Sequence, residues 1–234
     1  MIFPSLDRVK AIAPGYDIVP VYMEILSDVR TPISVLKALK QVSSHTYLLE
    51  SADNSNHWGR YSFLGYDPKI ELFCKNHKMT IKDGTTRTFE CSDPAAEIRN
   101  ILSQYKSPRL EELPTFTGGF VGYFACEYIR YIEPTLDFPT PDDDSAMVND
   151  VDLMLFDKVI AFDHYKNKIY LIANISTNDL ERNYNKAELE LKALADLVVN
   201  GKEADIPKGI LKTEFTSEFT KDEFEAVVKK TQHY

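Results

Sequence analysis

The chain has 234 residues, a formal net charge of -9, 44% hydrophobic residues and 27% charged residues. These fractions are ordinary for a packed protein and exclude a disordered or fibrous chain, and the length accommodates one large domain or two small ones. The acidic balance, without clustered Lys and Arg, argues against a nucleic-acid binder. Cys74, Cys91 and Cys126 follow no C-x-x-C spacing, and no secretory leader or membrane-length apolar run is visible, so we expect buried thiols in a cytoplasmic protein.

Strand patterns outnumber helical ones along most of the chain. A helix is predicted to begin at Thr31 and Pro32, and apolar residues up to Val42 line one face of it. Further helices are predicted at 94–105 and 178–200, the latter with Asn178 and Glu181 as a capping pair. Short apolar runs predict strands at residues 47–50, 61–64, 69–75, 78–82, 118–124, 154–162 and 168–173, the last two forming a hairpin.

The last residues predict the start of another helix. Thr220 and Glu223 have the spacing of a capping box, and Phe224, Val227 and Val228 follow as its expected buried side. The pattern then reaches Tyr234 without a C-cap signal, which leaves open either a frayed terminal helix or a helix that is cut short. We therefore predict one domain at residues 1–200, followed at 201–234 by a polar connector and this helix.

Glu50 and Ser51 place a carboxylate and a hydroxyl side by side at the end of a predicted strand. The carboxylate suits an ammonium group and the hydroxyl suits a carboxylate, which is the polar pattern of an α-amino acid. Without further context, such a pair is most often a solvated corner.

No catalytic constellation emerges elsewhere in the sequence. Gly118, Gly119 and Gly122 do not match a nucleotide-binding loop and indicate close packing of a strand. The acidic run 142–144 lacks the spacing of a calcium loop, and the five histidines show no zinc spacing. Asp163 and His164 have the residue types of a turn, and the residues alone identify no active site.

Several motifs in chain order are similar to the N-terminal part of the large component of anthranilate synthases, which use chorismate to begin tryptophan biosynthesis. They are L-L-E-S at 48–51, R-Y-S-F-L-G at 60–65, G-G-F-V-G-Y-F at 118–124, R-Y-I-E at 130–133, M-L-F-D at 154–157 and F-D-H at 162–164. Each motif is weak alone, but their order is specific.

The resemblance implies that this region carries part of the pocket for L-tryptophan, the feedback inhibitor. Glu50 and Ser51 would then hold the amino-acid head group, with Leu49 beside the ring. Tyr61 and Ser62 match the second strand that walls the pocket. Some relatives have lysine at Tyr61, so a backbone contact is expected there rather than a side-chain contact.

The same resemblance implies an α+β fold of two antiparallel sheets in a sandwich flanked by helices, lacking the strands of a C-terminal part. It also implies that the natural protein continues past Tyr234, with residues 201–234 as the connector and first helix that lead into that part. Chorismate, magnesium and all catalytic residues would belong to that part, so no cofactor is expected here and the 234-residue chain alone would be inactive. The whole protein would be a lyase that receives ammonia from a glutamine amidotransferase subunit. Exposed strand edges would favour a homodimer of the isolated chain.

Two alternatives remain open from the sequence. One is the large component of aminodeoxychorismate synthase, a folate-pathway enzyme that often departs from the L-L-E-S and R-Y-S-F pairing. The other is a stand-alone module that senses an amino acid without catalysis. A reading frame that continues past Tyr234 would favour an enzyme over the module.

Overall fold

The computed structural model describes residues 1–28, 30–51, 59–133, 135, 148–205, 207 and 209–233. The chain divides into two compact units, Met1–Ala204 and Asp205–Tyr234. The predicted domain division after residue 200 concerns the whole protein and stays a prediction.

Five α-helices and ten strands are described in the first unit. The helices are α1 (Leu6–Ile12), α2 (Pro32–Leu39), α3 (Pro94–Leu102), α4 (Ile129–Ile132) and α5 (Leu180–Asn200). The strands are β1 (Ile18–Leu26), β2 (Thr46–Leu49), β3 (Tyr61–Tyr66), β4 (Ile70–Lys75), β5 (Lys78–Lys82), β6 (Thr86–Glu90), β7 (Gly119–Phe124), β8 (Val151–Phe156), β9 (Lys158–Asp163) and β10 (Lys168–Ser176).

The strands form two five-stranded sheets. The first has the order β1-β10-β9-β3-β2 and the second β6-β5-β4-β8-β7. Every pair is antiparallel, from the β1 and β10 pair to the β7 and β8 pair. The predicted fold class, antiparallel sheets flanked by helices, is confirmed.

Each sheet is covered by helices on one face. The long helix α5 packs on the first sheet together with α1 and α2, because its buried residues recur three and four positions apart. Those residues are Tyr184, Ala187, Leu191, Leu194 and Val198. Helix α3 packs Ile98 and Ile101 against the second sheet. On its other face the first sheet contacts Leu110 and Leu113, which precede β7.

The predicted strand at 154–162 is wrong as a single element. It is divided by Asp157 into β8, which belongs to the second sheet, and β9, which belongs to the first. Burial raises the pKa of Asp157 above its ordinary value, against the opposing effect of Lys158 and Lys69. The hairpin that follows is confirmed, since β9 pairs with β10 from Asp163 and Lys168 onward.

Several local predictions need correction. Helix α1 and strands β1 and β6 were not predicted, and α2 ends at Leu39, which leaves Val42 exposed. Helix α5 is preceded by Asp179 in a left-handed conformation without a side-chain cap, rather than by an Asn178 capping box. Cys74 and Cys91 are buried as expected, but Cys126 is exposed.

Gly122 in β7 and Gly118 just before it allow the backbone to approach neighbouring groups closely, as predicted. A Cβ atom on Gly122 would lie 2.0 Å from the backbone oxygen of Asp152, on the paired strand β8. A Cβ atom on Gly118 would lie 2.6 Å from Nδ2 of Asn174 on β10. A side chain at Gly122 therefore requires the backbone of β8 to move.

The second unit contains helix α6 (Lys221–His233). Its predicted capping box is confirmed: the Thr220 backbone N–H donates to the Glu223 carboxylate at 2.8 Å, and the Glu223 N–H donates to Thr220 Oγ1 at 3.4 Å. Phe224, Val227 and Val228 are exposed, so the prediction that they form a buried side is wrong for this chain.

Candidate functional site

Glu50 and Ser62 meet where β2 ends beside β3. The register pairs Leu49 with Phe63, which brings the next residue along β2, Glu50, beside Ser62. The Ser62 hydroxyl donates to Glu50 Oε1 at 3.4 Å. Ser62 is 1% exposed whereas Glu50 is exposed, so a buried hydroxyl contacts a carboxylate that faces solvent.

His164 joins this pair, although the sequence pattern indicated only a turn residue. Its Nε2 lies 2.7 Å from Ser62 Oγ, and its backbone N–H donates to the Arg60 carbonyl at 2.9 Å. Because β3 pairs with β9, residues 102 positions apart become neighbours. No local spacing could reveal this contact, since it depends on which strands pair.

The Ser62 and His164 pair does not have the arrangement of a nucleophile and its base. A nucleophilic serine must reach its substrate, but the Ser62 residue is almost fully buried. A third group should orient the base, yet Glu50 contacts Ser62 rather than the imidazole. The cluster therefore lacks the geometry of covalent catalysis.

An ion pair between Arg60 and Asp163 fastens β3 to β9 next to the cluster. Arg60 Nε and Nη2 donate to the two carboxylate oxygens at 3.1 and 2.7 Å. The Asp163 side chain is 0% exposed and that of Arg60 is 33% exposed. The guanidinium also lies over the rings of Tyr61 and Tyr165, at 4.8 and 5.5 Å from their centroids.

Opposing effects set the protonation of Asp163. Burial alone would raise the pKa of its carboxyl, but the Arg60 hydrogen bonds and the backbone N–H groups of Lys166 and Tyr165 outweigh burial. Those N–H groups donate at 3.0 and 3.1 Å. The pKa of Asp163 therefore lies below its ordinary value, and the carboxylate is ionised at neutral pH.

The residues that the sequence predicts for the L-tryptophan pocket do not all lie on one face of the sheet. They are Leu49, Glu50, Ser51, Tyr61 and Ser62. Side chains alternate along strands, so Leu49 and Tyr61 lie on the face opposite to Glu50 and Ser62. Leu49 is 47% exposed, and Ser51 is exposed just after β2. The structure thus brings Glu50 and Ser62 together, while contacts of all five with L-tryptophan stay a prediction.

Among the described residues, no group of three or more His, Cys, Asp and Glu side chains could hold a metal ion. The acidic run 142–144, whose spacing argued against a calcium loop, lies outside the described residues. In the ranges that the structure covers, no helix combines the length and the apolar character needed to cross a membrane.

Comparison with known proteins decides the family. Residues 45–234 match the family model described as chorismate binding enzyme. The chain belongs to this family. Its predicted resemblance to the large component of anthranilate synthase is also confirmed, because curated relatives of that name match it along most or all of its length.

Two such family members illustrate the match. Anthranilate synthase component 1 of Acetivibrio thermocellus is 33% identical over 244 residues, which cover 100% of this chain and 48% of that protein. The component 1 of Acinetobacter calcoaceticus is 39% identical over 189 residues, covering 79% of this chain and 37% of that protein. The chain therefore spans about half the length, or less, of the curated relatives that it matches.

A solved structure is also similar to this chain. It is anthranilate synthase component I from Streptococcus pneumoniae TIGR4, with a TM-score of 0.49 and 24% sequence identity. The match covers 89% of this chain and 44% of that one.

Proposed function

We propose that this chain carries part of an L-tryptophan regulatory site of an anthranilate synthase component I. The observation that carries the proposal is the contact between Glu50 and Ser62, with His164 beside them, at the end of the L-L-E-S motif. An exposed carboxylate held by a buried hydroxyl suits the ammonium group of an amino acid. Ser51, one position further on, is exposed and has a hydroxyl available for the ligand's carboxylate.

The whole protein, in this proposal, converts chorismate and ammonia to anthranilate and pyruvate in the cytoplasm. The ammonia comes from a glutamine amidotransferase partner, component II. Magnesium binds together with chorismate in the part of the relatives that this chain does not match. The names of the relatives support this choice over aminodeoxychorismate synthase. Identification of the product formed from chorismate distinguishes the two enzymes.

Catalysis by the 234-residue chain alone is not expected. We predict that the purified chain forms no anthranilate from chorismate, ammonia and magnesium, because in this proposal the catalytic residues belong to the part of the relatives that this chain does not match. Turnover that persists after further purification and scales with the amount of the chain would contradict the proposal.

The experiment that tests regulation is an L-tryptophan titration of the complete natural protein in which this sequence occurs. Anthranilate formation is followed by its fluorescence, with ammonia as nitrogen donor, for the wild type and Ser51→Ala. Loss of a hydrogen bond to the charged head group should cost about 1.5 to 3 kcal/mol, or roughly ten- to a hundredfold in inhibition. Unchanged inhibition of Ser51→Ala would remove Ser51 from the pocket.

A further inference from the structure

His164 contacts the candidate site through Ser62 and not directly. Its Nε2 is 2.7 Å from Ser62 Oγ, which in turn is 3.4 Å from Glu50 Oε1. The His164 backbone N–H donates to the Arg60 carbonyl, and the imidazole stacks on Phe162, with ring centroids 6.4 Å apart and planes at 23°. The three side chains thus form a line that leads from the sheet to the exposed carboxylate.

Hydrogen-bond accounting fixes the direction of this line. A serine hydroxyl has one proton, and an ionised carboxylate only accepts. If Ser62 donated to His164, a lone pair of Oγ would face the Glu50 carboxylate, and this contact would be repulsive. If Nε2–H donates to Oγ, the hydroxyl proton is free to donate to Glu50, which satisfies both contacts. The arrangement that satisfies both contacts is therefore the one with a proton on Nε2.

We propose that His164 is a positioning residue for amino-acid binding, which sets the direction of the Ser62 hydroxyl so that it holds the Glu50 carboxylate. The remaining lone pairs of this exposed carboxylate then accept from the ligand's ammonium group. This inference rests on the proposed function, since it concerns recognition of the same head group. It adds a residue on β9 that does not touch the ligand but determines how its ammonium group is received.

The test compares two ligands and three variants of the complete natural protein. L-Tryptophan has the ammonium group, and indole-3-propionate has the same ring and carboxylate without it. His164→Phe keeps a ring on Phe162 but removes the Nε2–H donor, His164→Gln can restore an N–H donor, and Ser62→Ala interrupts the line. Dissociation constants are measured by calorimetry, and indole-3-propionate is also measured by competition.

His164→Phe and Ser62→Ala should each weaken L-tryptophan binding by about tenfold and leave indole-3-propionate binding unchanged, because only the ammonium contact is affected. His164→Gln should recover part of the loss. A matched control is His77→Phe, since the His77 ring also contacts an aromatic ring, that of Tyr131 with centroids 4.6 Å apart, but beside the second sheet. This control should bind both ligands as the wild type does.

The outcomes separate this inference from the proposed function. If the wild type binds L-tryptophan and His164→Phe binds it equally well, the positioning role is refuted and the regulatory site stands. If His164→Phe weakens both ligands equally, His164 supports the fold and not the ammonium contact, which also refutes the role. If the wild type binds no L-tryptophan, the proposed function itself fails. Should His164→Phe not fold, Ser62→Ala decides by the same two-ligand comparison.

Discussion

The ion pair of Arg60 and Asp163 should contribute far more to stability than an exposed pair. Arg60→Met keeps an apolar stem beside Tyr61 but removes both guanidinium donors, and it leaves a wholly buried carboxylate that accepts from the N–H groups of Tyr165 and Lys166. Breaking a buried pair costs about 3 to 5 kcal/mol when the remaining charge is uncompensated. The two N–H bonds and the one-third exposure of Arg60 lower this expectation to about 2 to 3 kcal/mol.

The measurement is urea unfolding of the 234-residue chain at pH 7, as a double-mutant cycle with Asp163→Asn. Asparagine can still accept from the backbone but has no charge, so Arg60→Met should cost less than about 1 kcal/mol in that background. A matched control is Arg8→Met, which breaks an exposed pair whose partners are 57% and 43% exposed, and should cost under about 1 kcal/mol. The reasoning is refuted if Arg60→Met costs no more than the control or costs equally in both backgrounds.

The pH dependence provides a second check on the same pair. The pKa of Asp163 is lowered in the folded state, so its contribution is present above the unfolded pKa of about 3.9 and is lost as the pH falls through the folded pKa. The stability difference between the wild type and Asp163→Asn should therefore be constant near neutral pH and shrink below about pH 4. A difference that shrinks between pH 7 and 6 would implicate another group.

Three further substitutions have clear expectations in thermal or urea unfolding. Gly122→Ala should destabilise by more than about 2 kcal/mol, because its Cβ would lie 2.0 Å from the Asp152 backbone oxygen. Tyr131→Phe should cost about 1 to 2 kcal/mol, since the hydroxyl donates to Asp150 at 2.7 Å. Asp157→Asn should raise the midpoint of thermal unfolding at pH 7, because burial raises the pKa of Asp157 and ionisation then opposes folding; the gain should vanish below about pH 4.

Each of these variants has an outcome that contradicts its reason. Gly209→Ala is the control for Gly122→Ala, since a Cβ there meets nothing within 4 Å, and equal effects would remove the steric explanation. Tyr131→Phe with wild-type stability would mean that its hydroxyl bond is offset by water. A lower midpoint for Asp157→Asn at pH 7 would show that its charge is compensated in the folded state.

Local periodicity explains which elements could be predicted. Helix α5 could be predicted from apolar spacing alone, because its buried residues recur three and four positions apart in consecutive turns. Strand β1 was missed because Pro20 interrupts its apolar run, yet a proline is tolerated there since β1 lies at an edge of its sheet. Strand β6 is another edge strand, and its mostly exposed residues show no apolar alternation.

Only part of the candidate site could be predicted from the sequence. Glu50 belongs to a motif whose resemblance to a family points to an amino-acid site, and Ser62 follows on the next strand. His164 could not be found, because its contact with Ser62 depends on the pairing of β3 with β9. Asp157 likewise resembled an ordinary strand residue, and only the sheet order shows that the chain passes from one sheet to the other there.

The central claim is that Glu50 receives the ammonium group of L-tryptophan, and one inhibition titration tests it most directly. Anthranilate formation by the complete natural protein is measured with ammonia and increasing L-tryptophan, for the wild type, Glu50→Gln and the control Glu90→Gln at the end of β6. The account predicts inhibition of the wild type and of the control, and a roughly ten- to a hundredfold higher inhibitory concentration for Glu50→Gln. Equal inhibition of Glu50→Gln and the wild type, or a wild type that L-tryptophan does not inhibit, would contradict it.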